Sequence, residues 1–313
     1  MKEFFDDTWR GLNATPKYLA SKYFYDATGD AIFKEIMELP EYYLTNCELD
    51  IFSRHRSELA NTILSYYRDF DIVELGAGDA TKSVYLLEAL LKHQIDFTYY
   101  PIDISENIIA QLNNRLPGRL PGIKVHGLNG EYFEMLEQLK NIANRNKIVF
   151  FLGSNIGNIP LDDTIDFFTR LRTHLVPGDL VLTGFDLKKD PMIILDAYND
   201  KTGVTKRFNL NLLQRINDTM DADFDLSQFE HYPVYNEGTG ACKSYLVSSK
   251  NQRVLIGGAG WVYFKESERI YMEVSQKYTV AQTDAFAEAS GFTVVRHFYD
   301  SKKWFLDALW QCR

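Results

Sequence analysis

The sequence contains little of what marks membrane-spanning, secreted or nucleic-acid-binding proteins. No apolar run approaches the roughly 20 residues that a helix needs to cross a bilayer. The opening stretch MKEFFDDTWRG has neither the basic region nor the apolar region of a signal peptide. Lysines and arginines are not clustered, and the formal net charge of -9 disfavours contacts with phosphate backbones. We therefore expect neither membrane nor nucleic acid among its partners.

Cysteine is scarce, and histidine has no metal-binding spacing. The three cysteines, Cys47, Cys242 and Cys312, lie far apart in the chain and form no CxxC pair. An odd number of unpaired cysteines predicts reduced thiols rather than a disulfide framework or a cysteine zinc site. The six histidines include no HExxH pattern. These observations predict a cytoplasmic protein without a metal.

From Asp69 to Asp186 the sequence alternates regularly between two kinds of segment. Short apolar runs such as FDIVEL and KIVFFLG are followed by segments with helical spacing, such as KSVYLLEALLK. This order predicts an α/β fold, with a doubly wound, Rossmann-like parallel sheet covered by helices on both faces. Near the end, TVVRHFYD and KWFLDALWQ predict a closing pair of strands.

A different pattern flanks this region, and 313 residues are enough for two domains. Residues 1 to about 66 and 188 to about 245 look helical, whereas KSYLVSS, QRVLIG, GWVYFK and IYMEVSQKY alternate like antiparallel strands. We expect a cofactor-binding domain formed by residues 48–187 and 278–313. A second α+β domain, formed by residues 1–47 and 188–277, is expected to bind the substrate.

The stretch ELGAGDATK joins the first predicted strand to the following helix. Gly76 and Gly78 allow a tight turn and a close approach to a ligand, although an ordinary strand-to-helix turn is the alternative. Thr81 stands where dinucleotide-binding loops have their third glycine, which lets a helix sit close to a pyrophosphate. Its absence fits a nucleoside without phosphates, such as S-adenosylmethionine (SAM), and disfavours a NAD-dependent oxidoreductase.

Acidic and aromatic residues follow the strands beside this loop. Asp103 ends the next strand, where a carboxylate can bond ribose hydroxyls. Glu131 and Tyr132 follow the third strand, where an adenine ring would lie, and a core aromatic is the alternative for Tyr132. Glu74 ends the first strand and could bind the ammonium group of the cofactor or brace the loop.

Several longer motifs carry a family resemblance. ELGAGDATK, YYPIDIS, FFLGSNIGNIP and YMEVSQKY, with the LPEYYLT and AYNDKTGVTKRFN segments, resemble the histidine-specific SAM-dependent methyltransferases, the L-histidine Nα-methyltransferases of ergothioneine biosynthesis. The resemblance covers the chain from about residue 8 onward. It implies a class I SAM-dependent methyltransferase core and three successive methyl transfers to L-histidine. The product would be Nα,Nα,Nα-trimethyl-L-histidine, with S-adenosylhomocysteine as by-product, no metal, and a monomeric enzyme.

The resemblance also implies roles for individual residues. The cofactor contacts would be Gly76, Lys82, Asp103, Glu131 and Tyr132. The family usually has Asp and Phe at the last two of these positions, so reach and polarity change slightly there. The amino acid would be held by Tyr25, Tyr42, Asn158 and Tyr198, with Tyr42 and Asn158 also carrying catalysis, and its imidazole would be read by Glu273 and Ser275.

The residue types fit this chemistry, but other acceptors stay open. Glu273 and Ser275 lie two apart on a predicted strand, so their side chains share a face that could bond both imidazole nitrogens. A strand with a polar outer face is the alternative. A related enzyme acting on another amino acid, such as a prenylated tryptophan, would prefer a less polar pair. A SAM-binding module without activity would not need the residues matched to the substrate.

Overall fold

The computed structural model describes residues 2–313, which divide into two compact units. The first unit contains the chain up to Tyr43 and the segment Lys189–Ser275, and the second contains Leu44–Lys188 and Gln276–Arg313. The predicted division differs from these bounds only at residues 44–47, 188 and 276–277. Which unit binds the cofactor and which the substrate stays a prediction.

The helices and strands of the described residues are numbered in chain order. The α-helices are α1 Lys2–Asn13, α2 Ala27–Glu38, α3 Tyr43–Leu64, α4 Ser83–Lys92, α5 Glu106–Arg119, α6 Tyr132–Leu139, α7 Thr164–Arg172, α8 Pro191–Ala197, α9 Val204–Met220 and α10 Val280–Ala289. The strands are β1 Lys17–Tyr18, β2 Phe70–Leu75, β3 Thr98–Asp103, β4 Lys124–Val125, β5 Leu128–Asn129, β6 Asn146–Phe151, β7 Leu180–Asp186, β8 Phe229–Asn236, β9 Ala241–Ser248, β10 Gln252–Ile256, β11 Gly260–Phe264, β12 Arg269–Gln276, β13 Phe292–Tyr299 and β14 Phe305–Cys312.

The second unit is built on one large twisted sheet. Its strand order is β13-β14-β7-β6-β2-β3-β4, and the short β5 also pairs with β3. The pairs from β4 to β7 are parallel, whereas β14 runs antiparallel to both β7 and β13. Every residue of β2 is buried, which fits its mainly apolar sequence, and its two acids, Asp71 and Glu74, are buried as well. The predicted doubly wound, Rossmann-like parallel core is confirmed.

This strand order locates the ligand-binding edge of the sheet. The chain moves outward from β2 through β3 to β4, and then returns to the other side of β2 with β6 and β7. Open α/β sheets bind ligands outside the carboxyl ends of the strands at such a reversal. The loops after β2, β3 and β6 therefore lie at the ligand-binding edge.

The first unit has an α+β composition. One four-stranded sheet has the order β1-β12-β9-β8, and β10 and β11 form a separate antiparallel hairpin. The strands predicted in KSYLVSS, QRVLIG, GWVYFK and IYMEVSQKY are confirmed. The prediction of helix through to about residue 245 is wrong, because β8 lies within that stretch. This strand forms the edge of its sheet and is largely accessible, so Pro233 and polar residues are tolerated there and obscure the alternation.

Several features concern the chain as a whole. Among residues 2–313, no helix combines the length and apolarity that crossing a bilayer requires. All three cysteines are buried, and none forms a disulfide within the described residues. Within the same residues, no group of three or more histidine, cysteine, aspartate or glutamate side chains is arranged to hold a metal ion.

A buried carboxylate anchors the start of α9 in the first unit. Asp200 accepts hydrogen bonds from the backbone N–H groups of Val204 and Thr205 at 2.9 and 2.8 Å, and from Thr202 Oγ1 at 2.6 Å. These bonds satisfy two of the N–H groups that a helix start leaves unpaired. Burial opposes ionisation of Asp200, but the bonds from Thr202, Thr205 and Val204 lower its pKa to about 2.

Removing this carboxylate should destabilise the first unit in a pH-dependent way. We expect Asp200→Ala to reduce the free energy of unfolding by about 1–2 kcal/mol at neutral pH. Because the pKa of Asp200 is lowered on folding, its contribution is complete above its ordinary value near 4 and is lost as pH falls through about 2. Differential scanning calorimetry of both proteins from pH 7 downward should show the gap in Tm closing in that window.

Asp190→Ala is the matched control for this prediction. Asp190 also caps a helix, but it accepts one backbone hydrogen bond, from Met192 N at 2.8 Å, and is exposed. Loss of the Asp190 carboxylate should therefore lower the free energy of unfolding by less than loss of Asp200 does. An equal Tm decrease in both variants would contradict the importance of burial at Asp200.

Candidate functional site

The loop after β2 turns sharply at the ligand-binding edge of the second unit. Gly76 and Gly78 have positive φ angles of 69° and 52°, and Ala80 has one of 55°. The N–H groups of Gly76 and Ala77 both donate to the carbonyl of Ile102, at 2.8 and 3.2 Å. The loop is thereby fixed to the end of the neighbouring strand β3.

Asp103 connects this loop with the end of β3. Its Oδ2 accepts from Gly78 N at 3.1 Å and its Oδ1 accepts from Ser105 N at 2.9 Å. The Asn129 side chain donates to the Asp103 carbonyl at 3.0 Å, which adds the end of β5. Asp103 therefore lies against the glycine loop, and its predicted contact with ribose hydroxyls stays a prediction.

Tyr132 and Asn155 lie directly beside Gly76. A Cβ atom added at Gly76 would come within 2.8 Å of the Tyr132 hydroxyl and 2.6 Å of Asn155 Nδ2. The Tyr132 ring packs edge-on against Phe151, with centroids 5.7 Å apart. Burial, together with the charges of Asp103 and Glu131, raises the pKa of Tyr132, so its hydroxyl stays protonated. Tyr132 therefore combines a packed ring with a hydroxyl at the loop.

Glu74 is bonded beneath the loop. Its carboxylate accepts from Ser83 Oγ at 2.7 Å and from the Tyr99 hydroxyl at 2.5 Å, in a buried position. Burial raises the pKa of Glu74 to about 7, although both hydrogen bonds oppose the shift. Because β2, β3 and the start of α4 all contribute to this arrangement, the geometry favours the bracing role of the two considered from sequence.

Lys82, at the start of α4, forms an ion pair with Glu48 of α3. The two carboxylate oxygens of Glu48 accept from Gly153 N, after β6, at 2.8 and 2.9 Å. The Glu48 side chain has no accessible surface, whereas the side chain of Lys82 is 22% exposed. Sequence reasoning did not find Glu48, since one acid in a long amphipathic helix carries no signal of its burial.

In the first unit, three of the predicted tyrosines belong to one aromatic cluster. Tyr25 contacts Phe33 edge-on at 5.7 Å between centroids, Phe33 contacts Tyr42 at 6.4 Å, and Tyr42 contacts Tyr198 at 6.2 Å. Phe208 of α9 packs against both Tyr25 and Phe33. Aromatic residues that are far apart in the chain are thus brought together.

Ser275 extends this cluster to the sheet of the first unit. Its Oγ lies 2.5 Å from the hydroxyl of Tyr198. Glu273, two residues earlier on β12, is half-buried, whereas Met272 and Val274 between and beside them are buried on the other face. The predicted strand and the shared face of Glu273 and Ser275 are confirmed.

His231 of β8 holds the backbone of Tyr198, a contact that sequence reasoning missed. Its Nε2 lies 2.8 Å from the Tyr198 carbonyl oxygen, so Nε2 must carry the proton. Among residues 2–313, no group bonds the buried Nδ1. Burial lowers the pKa of His231, which favours the neutral ring. The spacing of the histidines gave no sign of this contact.

Asn158 lies in the second unit, apart in the chain from the tyrosines. It ends the short 3-10 helix Asn155–Asn158 that follows β6, and it is exposed. Asn155, at the start of the same 3-10 helix, makes the contact with the glycine loop, donating from Nδ2 to the Gly76 carbonyl at 3.4 Å. Asn155 was not among the predicted site residues.

Comparison with known proteins gives a consistent result. A sequence model of the family described as "Histidine-specific methyltransferase, SAM-dependent" matches residues 4–312. A histidine N-alpha-methyltransferase of Mycobacterium tuberculosis is 33% identical over 295 residues, covering 94% of this chain and 90% of the relative. One from Mycolicibacterium smegmatis is 35% identical over 273 residues, 87% of this chain and 83% of the relative.

A longer fungal protein is also similar. Ergothioneine biosynthesis protein 1 of Neurospora crassa is 32% identical over 287 residues, which are 90% of this chain but 32% of the relative. The motifs that suggested the resemblance therefore belong to a similarity that extends over nearly the whole chain. On these matches and on the fold, the chain belongs to the family of histidine-specific, SAM-dependent methyltransferases.

Proposed function

We propose that this protein transfers methyl groups from SAM to the α-amino nitrogen of L-histidine. Three successive transfers would give Nα,Nα,Nα-trimethyl-L-histidine, a step of ergothioneine biosynthesis. The observation that carries the proposal is the cluster of Tyr25, Tyr42, Tyr198 and Ser275 in the first unit, because these are the residues matched to the amino-acid site of the family. Relatives named for this activity, at 33% and 35% identity, support it.

The edge of the second unit fits the cofactor. Gly76 has no Cβ, which allows Tyr132 and Asn155 to pack directly against the loop; a Cβ there would lie within 2.8 Å of the Tyr132 hydroxyl and 2.6 Å of Asn155 Nδ2. Asp103 lies at the end of β3, suitably located to accept from ribose hydroxyls, and Glu131 and Tyr132 lie at the start of α6. When bound, SAM supplies an electrophilic methyl group on a positively charged sulfur.

The first unit supplies groups suited to an amino acid with an imidazole ring. Glu273 can accept from one ring N–H, and Ser275 can donate to or accept from the other nitrogen. Ser275 is hydrogen-bonded to the Tyr198 hydroxyl. The residues proposed to bind the imidazole are thereby linked to the tyrosines proposed to bind the amino and carboxylate groups. Asn158 is proposed to bind the head group of the amino acid through its amide.

The tyrosines suit a substrate whose nitrogen gains methyl groups and then a fixed positive charge. The faces of Tyr25, Tyr42 and Tyr198 can attract a methylated ammonium through cation–π interactions. The positive charge that the cofactor would bring when bound would lower the pKa of the substrate ammonium and favour its deprotonation. Tyr42 and Asn158 would then act chiefly by aligning the amine for displacement.

Mass spectrometry of turnover tests the proposal. Purified protein is incubated with SAM and each of the twenty amino acids in turn, and each product is counted for added methyl groups. We expect one, two and three methyl groups on histidine and none on the others. Product with another amino acid but not with histidine would overturn the substrate, and absence of any product would overturn the activity.

Glu273→Ala identifies the group that reads the ring. Because a buried imidazole N–H would be left unpaired, KM for histidine should rise by ~100-fold with little change in the Kd for SAM. Glu230→Ala is the matched control, since Glu230 is an exposed strand glutamate paired with Lys206. Equal effects in the two variants would contradict the assignment of Glu273.

Gly76→Ala should specifically damage cofactor binding. The new Cβ would crowd Tyr132 and Asn155, and the positive φ of 69° adds strain for a residue other than glycine. We expect the Kd for SAM, measured by calorimetry, to rise by at least about tenfold. Gly122→Ala has a comparable strain, with φ 92° and nothing within 4 Å, and should leave the Kd unchanged. An unchanged Kd in Gly76→Ala would refute the role of this loop in cofactor binding.

His231 should position Tyr198 through one hydrogen bond. His231→Leu removes the donor to the Tyr198 carbonyl and should raise KM for histidine about five- to tenfold, with the Kd for SAM unchanged. His231→Gln retains an N–H donor near the Nε2 position and should restore most of the affinity. If both variants lose affinity equally, the ring acts by packing and not by its hydrogen bond.

A further inference from the structure

Three ionisable side chains meet under the ligand-binding edge of the second unit. They come from α3, the start of α4, and β14, and are Glu48, Lys82 and Asp307. Glu48 and Asp307 have no accessible surface. Gly184 of β7 makes their meeting possible, because a Cβ on this residue would collide with Glu48 Oε1 and come within 3.2 Å of Asp307 Oδ1.

The charges of these residues do not balance if all three are ionised. Two buried carboxylates would face one ammonium, and an uncompensated charge in a buried position is costly. Lys82 and the Gly153 N–H already engage the carboxylate of Glu48. Asp300 and Glu74, which also act on the cluster electrostatically, are acids and add no positive charge.

The hydrogen bonding of Asp307 also indicates that Glu48 and Asp307 are not both ionised. Within residues 2–313, no donor reaches either of its carboxyl oxygens. The carboxyl group of Glu48 is within hydrogen-bonding reach of Asp307, but an ionised carboxylate can only accept hydrogen bonds. Two carboxyl groups can bond to each other only if one of them carries a proton. Burial and the charge of Glu48 both raise the pKa of Asp307 well above its usual range.

We propose that Asp307 is a protonated acid at neutral pH and donates a hydrogen bond to Glu48, so that it acts as a positioning residue for Lys82. Glu48 then holds three partners at once: the Lys82 ammonium, the Gly153 N–H after β6, and the Asp307 hydroxyl. The proton leaves one negative and one positive charge in the cluster. Lys82 is thereby fixed between the glycine loop and the end of β6.

The link to SAM rests on the function proposed above, whereas the protonation of Asp307 does not. A displaced Lys82 would shift the start of α4 and with it the loop that contains Gly76 and Gly78. Loss of the Asp307 hydroxyl should therefore weaken SAM binding, although Asp307 is not proposed to touch the cofactor. A neutral donor of the same size should preserve that binding.

Infrared spectroscopy tests the protonation directly. The carbonyl stretch of a protonated carboxyl group should be present in the wild-type protein and absent in Asp307→Asn. The spectra are recorded at about pH 8.5, where Glu74, with its pKa near 7, is largely ionised. Asp179→Asn is the matched control, because Asp179 is equally buried but accepts N–H bonds from Lys147 at 2.8 Å and Val176 at 3.0 Å, and should contribute no such band. Absence of a band that Asp307→Asn removes would overturn the proposal.

Calorimetric titration with SAM, without any amino acid, tests the positioning role. Asp307→Asn can donate from its amide to Glu48, so its Kd should stay within about twofold of wild type. Asp307→Ala should raise the Kd about tenfold, since Glu48 loses a donor. If the two variants bind equally weakly, the proton does not position Lys82. If the wild-type protein does not bind SAM at all, the proposed function fails while the infrared result still decides the protonation state.

Discussion

The turn after β2 has to end a strand that is buried on both faces and start a helix within a few residues. This constraint governs most of what surrounds it. The N–H groups that the turn leaves free are taken by the Ile102 carbonyl and by Asp103, and the acid at the end of β2 is bonded to Ser83 and Tyr99. A ligand that approaches this loop therefore meets a backbone whose conformation is already determined.

Buried carboxyl groups are the second theme, and each is stabilised differently. Glu74 accepts hydrogen bonds from two side-chain hydroxyls, and Asp200 accepts them from backbone N–H groups at a helix start. Asp186 forms an ion pair with the equally buried Lys277 at 2.7 Å. Asp307 has none of these arrangements, which is why a proton is assigned to it. A charged carboxylate in a dry interior is costly unless hydrogen bonds or an opposite charge compensate it, and each of these three carboxylates has such partners.

Much of the fold could be predicted because each core strand is a local signal. Segments such as FDIVEL and DLVLTGFDL stand out without knowledge of their neighbours, and Gly76 and Asp103 follow from their positions at strand ends. Glu48, His231 and Asp307 could not be found in this way. Their roles depend on partners such as Gly153, Tyr198 and Glu48, which are distant in sequence, and a single polar residue within a helix or strand has no periodicity. The edge strand β8 was missed for a related reason, since an accessible strand need not alternate.

The position of β14 bears on how the chain acquires its structure. This strand is the last of the described elements, yet it lies inside the sheet, between β7 and β13, and it brings Asp307 and the fully buried Trp310 with it. The first unit likewise needs Lys17–Tyr18 to pair with β12, some 250 residues later. Neither unit can complete its sheet during synthesis until its distant segment has left the ribosome. Apolar surface stays exposed during that time, and such surface favours aggregation.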